Sequence, residues 1–474
     1  MSTITLNFAN CLSDRVGEHG LSPQDLDNAR PVLAELTRRL NDSRGTGWEG
    51  WRTLPFDPMR HEHLDKVKTL AEQLRPGCEN LIVLGIGGSA LGNTALQQAL
   101  NPETWNLMPR DERNGPRLFV LDNVDPHFVG QALAEVQRTD PGFERTIVNV
   151  ISKSGETAET AAQFIIVRSM LRHALGENYN RHIIATTDPV RGTMRAICDS
   201  EGYTTLPVPE GVGGRFSVLS PVALFSAAMC GIDVDQLLEG AADMDHRCQS
   251  ESVDENPAAV LAWLLTELTQ RGKPIHVLMP YCNALYGLAD WYRQLWAESL
   301  GKKVDCDHRE VFTGPTPVKA LGATDQHSQI QLYREGPNDK VIGFMEVEQF
   351  DSDLTVPADL DVDALKYLQG STLSDLLNAE KRATEFALVE SKRPNFTIRM
   401  PSINAFHVGQ FMQLWMVATA YAGQLLNINA YDQPAVETGK VATFGLMGRA
   451  GYDEWRQRVE SLAPAPERTI PRRP

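Results

Sequence analysis

Ser152-Lys153-Ser154-Gly155-Glu156-Thr157 is a hydroxyl-rich turn that leaves the apolar run Ile147–Ile151 and enters a helical pattern at Ala158. A strand that ends in small hydroxylated residues and then opens a helix points backbone N–H groups, the positive end of the helix dipole and side-chain hydroxyls at one place. That place suits an anion. A glycine-rich loop ending in Gly-Lys-Ser/Thr occurs nowhere in the chain. The anion expected is therefore a phosphomonoester, such as a sugar phosphate, rather than a nucleoside triphosphate. Glu156 is the odd residue in this cradle, because a carboxylate there repels the ligand unless it points away. Glu159, nearly one turn on, is placed to support the loop by hydrogen bonds.

Four further groups carry residues that can do chemistry. Gly85-Ile86-Gly87-Gly88-Ser89-Ala90 follows the apolar run Leu81–Leu84 and opens a helix, so it also fits a dinucleotide fingerprint. That fingerprint also wants an acidic residue about 20 positions on, ending the second strand, and Asp122, the nearest such residue, lies further away. Gly213-Gly214-Arg215-Phe216-Ser217 holds an arginine after two glycines, where it can donate to an oxygen that becomes negative during reaction or simply pair with an acidic neighbour. Gln294 and Glu298, four apart on a helix read over Leu285–Leu300 and stopped by Gly301, share one face with apolar Trp291 and Leu295 close by. A carboxylate set among aromatic rings can be raised toward the range of a general base; a solvated helix residue is the plainer alternative. His327, in a polar loop read over Thr324–Gln329 before a strand Ile330–Tyr333, is a candidate proton carrier if Asp325 and the hydroxyls around it fix its tautomer. In Tyr431–Lys440 an Asp or Gln cap and Pro434 open a helix on which Glu437 and Lys440 stand three apart, as an ion pair would.

These residues need a scaffold, and the pattern supplies one. Short apolar runs at Leu81–Leu84, Leu118–Leu121, Ile147–Ile151 and Ile183–Ala185 alternate with helical spacings such as Phe164, Val167 and Leu171. That rhythm is βαβ and predicts a mostly parallel sheet, with ligands beyond the carboxyl ends of its strands. After a helix-rich stretch from Pro221 to Gln270 it resumes at Ile275–Met279, Ile330–Tyr333, Val341–Glu346 and Phe396–Met400, a second α/β domain. The division expected is a helical N-terminal segment 1–60, domains at 61–240 and 256–430, and a C-terminal helical segment with a Pro-rich, frayed tail at 431–474. A chain of 474 residues is long enough for two or three cores. Its 42% hydrophobic and 22% charged residues are ordinary for a globular enzyme, and a formal net charge of −16 argues against nucleic acid as a partner. Seven scattered cysteines without a Cys-x-x-Cys pair read as reduced thiols, and the first residues lack a secretory pattern, which together point to the cytoplasm. Phe406–Leu426 is apolar, but it contains His407, Gln410, Gln413 and Gln424 and reads as a buried core helix rather than a membrane span.

Taken in order, Gly-Ile-Gly-Gly-Ser, Ser-Lys-Ser-Gly-x-Thr, Gly-Gly-Arg-Phe-Ser, Gln-x-x-x-Glu-Ser-x-Gly-Lys, Thr-Asp-x-His-Ser and Asp-Gln-Pro-x-Val-Glu-x-x-Lys resemble the glucose-6-phosphate isomerases, also called phosphoglucose isomerases, in their bacterial form. The resemblance runs from about Gly85 to Lys440. It implies an α/β fold of two sugar-isomerase (SIS) αβα sandwich domains with mostly parallel sheets. It also implies reversible isomerisation of glucose 6-phosphate and fructose 6-phosphate through a cis-enediolate, with no cofactor and no metal. By resemblance Ser152, Lys153, Ser154 and Thr157 hold the phosphate, with Ser89 and Gln294 nearby. Glu298 resembles the base that moves a proton between C2 and C1, Arg215 the group that steadies the enediolate, and His327 and Lys440 the pair that opens the ring. The family's habit implies a homodimer in which His327 comes from the partner copy. Glu156 stands where relatives often carry a small or hydroxylated residue, and Ala435 where a Gly is common. Two other classes stay open on the residues themselves. One is a sugar-phosphate-binding regulator, which needs the phosphate loop but no base; the other is a dehydrogenase built on the Gly85 loop.

Overall fold

In the computed structural model, which describes residues 2–462, the chain forms two five-stranded sheets and a two-stranded hairpin. The strands are β1 Thr5–Asn7, β2 Asn80–Leu84, β3 Arg117–Leu121, β4 Thr146–Ile151, β5 Ile183–Thr187, β6 Thr204–Pro207, β7 Ile275–Pro280, β8 Lys302–Val304, β9 Glu310–Thr313, β10 Thr316–Lys319, β11 Lys340–Gln349 and β12 Asn395–Ser402. By contacts the chain divides into two compact units, Met1–Ala430 and a second beginning at Tyr431.

The first sheet has the order β3-β2-β4-β5-β6, and every neighbouring pair is parallel. All residues of β2, β4 and β5 are buried, so both faces of these strands are covered. This explains why they read in sequence as unbroken apolar runs rather than alternating ones. The core on this sheet joins Ile82, Leu84, Val148 and Val150 to Phe164, Val167 and Leu171 of the Ala158–Leu175 helix. Chain order reverses between β2 and β4, whose ends lie side by side with Leu84 opposite Val150. The crevice beyond such a reversal is where open parallel sheets take their ligands. Both Gly85–Ser89 and Ser152–Thr157 emerge there.

The second sheet has the order β1-β12-β11-β7-β10, parallel except for β1, which runs antiparallel along β12 with Leu6 opposite Ile398. Three expectations are corrected. The first 60 residues are not wholly helical, because β1 joins this sheet from a sequence position far outside it. Ile330–Tyr333 is not a strand but the first part of a short helix, Ile330–Glu335; only Tyr333 of its residues is buried, as one face of a helix needs and a central strand does not. The edge strand β10, Thr316–Lys319, takes the place expected for it, and its exposed start and two-sided polarity hid it from a search for apolar runs.

The Ala405–Leu425 helix is buried along nearly its whole length, as expected of a core helix with interior glutamines. Gln410 and Gln413 are hydrogen-bonded inside, to Thr3 and Asp243 and to Asp245. No helix among the described residues is long and apolar enough to cross a membrane. Helices Ala435–Leu446 and Asp453–Ser461 make up the described part of the second unit. Pro434 itself occupies the N-cap of the first and no side chain caps it, so the expected Asp or Gln cap is absent. The expected frayed tail, from residue 463 on, lies outside the described residues.

Candidate active site

The glycine loop after β2 is built for close approach. A Cβ on Gly88 would lie 2.2 Å from the carbonyl carbon of Gly214 and 2.7 Å from the nitrogen of Arg215, and one on Gly87 would meet Gln294 Nε2 at 3.0 Å. Only glycine lets three separate segments converge there: the Gly85 loop, the Gly213–Ser217 turn and the Tyr286–Leu300 helix. These glycines therefore serve contact with Gly214 and Gln294, which gives the fingerprint-like spacing a use other than a dinucleotide.

The convergence delivers a charge pair. Arg215 is 4% exposed and every one of its guanidinium nitrogens is engaged. Its Nε donates to Ser299 Oγ at 2.7 Å, its Nη2 to the carbonyl of Ala430 at 2.6 Å and its Nη1 to Glu298 Oε1 at 3.2 Å. Gln294 Nε2 donates to the other oxygen of Glu298 at 3.0 Å. Both carboxylate oxygens thus have a donor, while the Glu298 side chain keeps about a quarter of its surface open at 26%. Trp291 and Leu295 of the same helix are buried in the core. The expectation of an aromatic setting for Glu298 is corrected: Arg215 and Gln294 are what surround the carboxylate. Gln294 Oε1 is buried and has no hydrogen-bond partner among the described residues.

The helix that carries Gln294 and Glu298 is pinned from behind. Trp296 Nε1 donates to Nδ1 of His276 on β7 at 3.0 Å, and His276 Nε2 lies 2.9 Å from Thr269 Oγ1. An acceptor at Nδ1 places the imidazole proton on Nε2, where the threonine hydroxyl receives it. Burial pushes the His276 pKa down to about 3, so the ring is a neutral spacer between sheet and helix.

The serine loop is organised differently. Ser152 is buried, and its Oγ accepts from the Gly155 N–H at 3.0 Å; Ser154 Oγ accepts from the Glu156 N–H at 3.1 Å. Each hydroxyl therefore stabilises the turn while keeping its own proton to donate. Gly155 sits at φ +78° with its α-carbon against Met194, so the loop rests on the start of the Thr193–Glu201 helix. Glu156 is turned that way as well and accepts from Thr193 Oγ1 at 2.9 Å. A carboxylate at the positive end of that helix is favourable, which resolves how the loop tolerates it. The Ala158–Leu175 helix opens at Thr157 with no side-chain cap. Lys153 is exposed, and its ammonium stands 5.4 Å from the ring of Trp48. Ser89, one loop away, is half-buried.

Two further expected site residues are carried by other elements. His327 is exposed on the short helix Thr324–Ser328, which replaces the expected loop. Asp325 does not hold it: one Asp325 oxygen accepts from the Leu321 N–H and the other from Ser328 Oγ, each at 2.7 Å. Burial works against that charge, but the bonds from Ser328, Gln329 and Leu321 outweigh it and hold the Asp325 carboxyl below its usual range. Lys440 lies in the second unit, on the Ala435–Leu446 helix, and donates to Glu437 Oε1 at 2.7 Å as expected from their spacing. Sequence reasoning missed Ser299, Thr193, His276 and Trp48. Ser299 was within reach as the neighbour of Glu298 in the quoted motif, whereas Trp48 gave no signal.

The fold and the site are those of an α/β protein with a hydroxyl-rich loop at the end of a parallel strand and a helix-borne carboxylate held beside a buried arginine. Residues 56–449 match the family described as phosphoglucose isomerase. A glucose-6-phosphate isomerase of Carboxydothermus hydrogenoformans is 42% identical over 98% of both chains, and one of Rubrobacter xylanophilus is 43% identical over 95% of this chain and 100% of its own. Among solved structures, a protein of Thermus thermophilus described as hypothetical matches with TM-score 0.83 and 38% identity over 94% of this chain and 100% of its own. A glucose-6-phosphate isomerase of Chlamydia trachomatis shares the fold at TM-score 0.79 and 21% identity, over 96% of this chain and 93% of its own. The chain belongs to the phosphoglucose isomerase family. It is an aldose-ketose isomerase of D-glucose 6-phosphate and D-fructose 6-phosphate with the family's sugar-isomerase α/β architecture, and the dehydrogenase and regulator readings fall away.

Proposed function

We propose that Glu298 is the base that takes the C2 proton of the opened sugar and returns it at C1, while Arg215 offsets the charge that develops on the enediolate oxygens. An aldose and a ketose differ only in proton positions around a shared enediolate, so one carboxylate can serve both halves of the reaction. The observation that carries this assignment is the Arg215–Glu298 pair at 3.2 Å, with Gln294 on the second oxygen and part of the carboxylate still open. The donors from Arg215 and Gln294 hold the Glu298 carboxylate aimed, as a base that must meet one carbon-bound proton requires.

Ser152, Lys153, Ser154 and Thr157 take the 6-phosphate in this reading, with Ser89 and Gln294 beside it. The uncapped helix start and the half-spent serine hydroxyls support it. His327 and Lys440 move the ring proton. His327 reaches the site from a second copy, so that the working unit is a homodimer; its exposure on a short helix supports that role. The first and second sugar-isomerase domains extend over 61–240 and 256–430, in keeping with strands β2–β6 and with β7 and β10–β12. A cytoplasmic setting is supported by seven cysteines that are all free thiols. Neither nucleic acid nor membrane is a partner in this account, in line with the net charge of −16.

Glu298→Gln tests the assignment in an assay of fructose 6-phosphate conversion. Turnover is expected to fall ~10²–10⁴-fold with KM little changed, because the amide keeps the shape but cannot accept the proton. Turnover within a few fold of the parent enzyme would rule Glu298 out as the base.

A further inference from the structure

His327 is exposed and none of its ring atoms is held by a neighbour among the described residues, yet a proton carrier must be held in place. The residues on either side of it are held. Gln326 Oε1 accepts two hydrogen bonds, from Tyr281 Oη at 2.8 Å and from Thr384 Oγ1 at 2.7 Å. These donors come from separate segments, Tyr281 from just beyond the end of β7 and Thr384 from the Leu373–Glu390 helix. Both are buried, at 0% and 4% exposure, and burial pushes the Tyr281 phenol up to about 12, so it stays a donor at any working pH. The tyrosine ring also lies directly beneath the backbone before this helix: a Cβ on Gly322 would meet it at 2.4 Å. On the other side Asp325 ties Leu321 to Ser328 through its two oxygens. A five-residue helix has little stability of its own, so these ties fix its orientation.

We propose that Gln326, clamped by Tyr281 and Thr384, is a positioning residue for ring opening: it fixes the Thr324–Ser328 helix so that His327 is presented outward in one orientation. The clamp engages the Gln326 side-chain carbonyl internally and leaves His327 as the outward-facing proton carrier. The inference rests on the reading of His327 as a ring-opening residue, and it assigns to Tyr281 and Thr384 an effect on turnover without contact with the sugar.

A double-mutant cycle tests it. Tyr281→Phe keeps the ring under Gly322 and removes one donor; Thr384→Val removes the other from a different element. Each is expected to lower kcat on glucose 6-phosphate roughly three- to tenfold, the scale of one lost hydrogen bond, with KM nearly unchanged. In the His327→Ala background neither is expected to lower it further, because the group they position is gone. Turnover of a tetrose 4-phosphate, which cannot close a ring, is expected to be unaffected by either. Equal losses in both backgrounds, or the same loss on the tetrose phosphate, would mark a general structural role and overturn the proposal; so would full activity of both single variants. Parent-like turnover of His327→Ala itself would overturn the reading of His327 beneath it, a separate and recognisable result.

Discussion

The two ends of the site are built on opposite plans. At the carboxylate end Arg215 is buried and each of its nitrogens is committed, to Ser299, Ala430 and Glu298, while His276 and Trp296 anchor the helix behind. At the serine-loop end, proposed to take the phosphate, the loop is held by its own hydroxyls and by Gly155 packed on Met194, and the charged side chain Lys153 is exposed against Trp48. The difference fits what each end would do under the roles proposed for them. A base has to meet one carbon-bound proton within a fraction of an ångström, which demands side chains locked by their neighbours. A phosphate dianion is nearly symmetric and attracts donors from several directions, so a loop of N–H and O–H groups with one exposed cation suffices.

The contrast breaks most visibly at Arg215. Arg215→Ala removes the proposed oxyanion donor and leaves Glu298 without its cation, so kcat is expected to fall ~10²-fold or more in steady-state kinetics. A loss confined to KM would place Arg215 with the phosphate instead. Lys153→Ala acts at the other end. It is expected to raise KM roughly tenfold while kcat changes little, as loss of one charge-assisted contact to the phosphate predicts, and the effect is expected to shrink at high salt. If kcat fell as steeply as KM rose, the loop would be more than a handle.

The smallest effect concerns the anchor of the carboxylate end. The His276 pKa lies near 3 in the folded chain against an ordinary 6.5, because burial penalises the charged ring. The unfolded chain therefore takes up a proton below about pH 6.5 that the folded chain refuses until about pH 3, and stability is lost progressively as pH falls through that window. Thermal melts between pH 7 and pH 4 are expected to show a shallower decline for His276→Gln, whatever its stability at pH 7. An unchanged slope would show that the ring is not the neutral spacer inferred.

Much of the architecture was legible because its strands are buried on both faces. β2, β4 and β5 read directly as apolar runs, and the loops after β2 and β4 follow from them as the ends of parallel strands, where the switch point lies. What was not legible depends on partners distant in sequence. β1 is three residues long and becomes a strand only by pairing with β12, almost 400 residues on. Ile330–Tyr333 read as a strand because it fell in the series of short apolar runs, and a segment that short fits one turn of helix equally well. In the site the residue types were readable, but the partner of Asp325 was not: spacing suggested His327, and the chain instead folds back so that Leu321 and Ser328 take its oxygens. Glu156 likewise found its use in Thr193, a residue on another helix.

The central claim is that Glu298 itself carries the proton between C2 and C1. It is tested most directly by running the reaction in D2O and following deuterium at C1 of fructose 6-phosphate and C2 of glucose 6-phosphate by NMR. The parent enzyme is expected to exchange these positions during turnover, through a carboxylate that shares its proton with solvent, and Glu298→Gln to lose exchange and isomerisation together while still binding the sugar phosphate. Exchange that persists at the parent rate in Glu298→Gln would contradict the account and require another base.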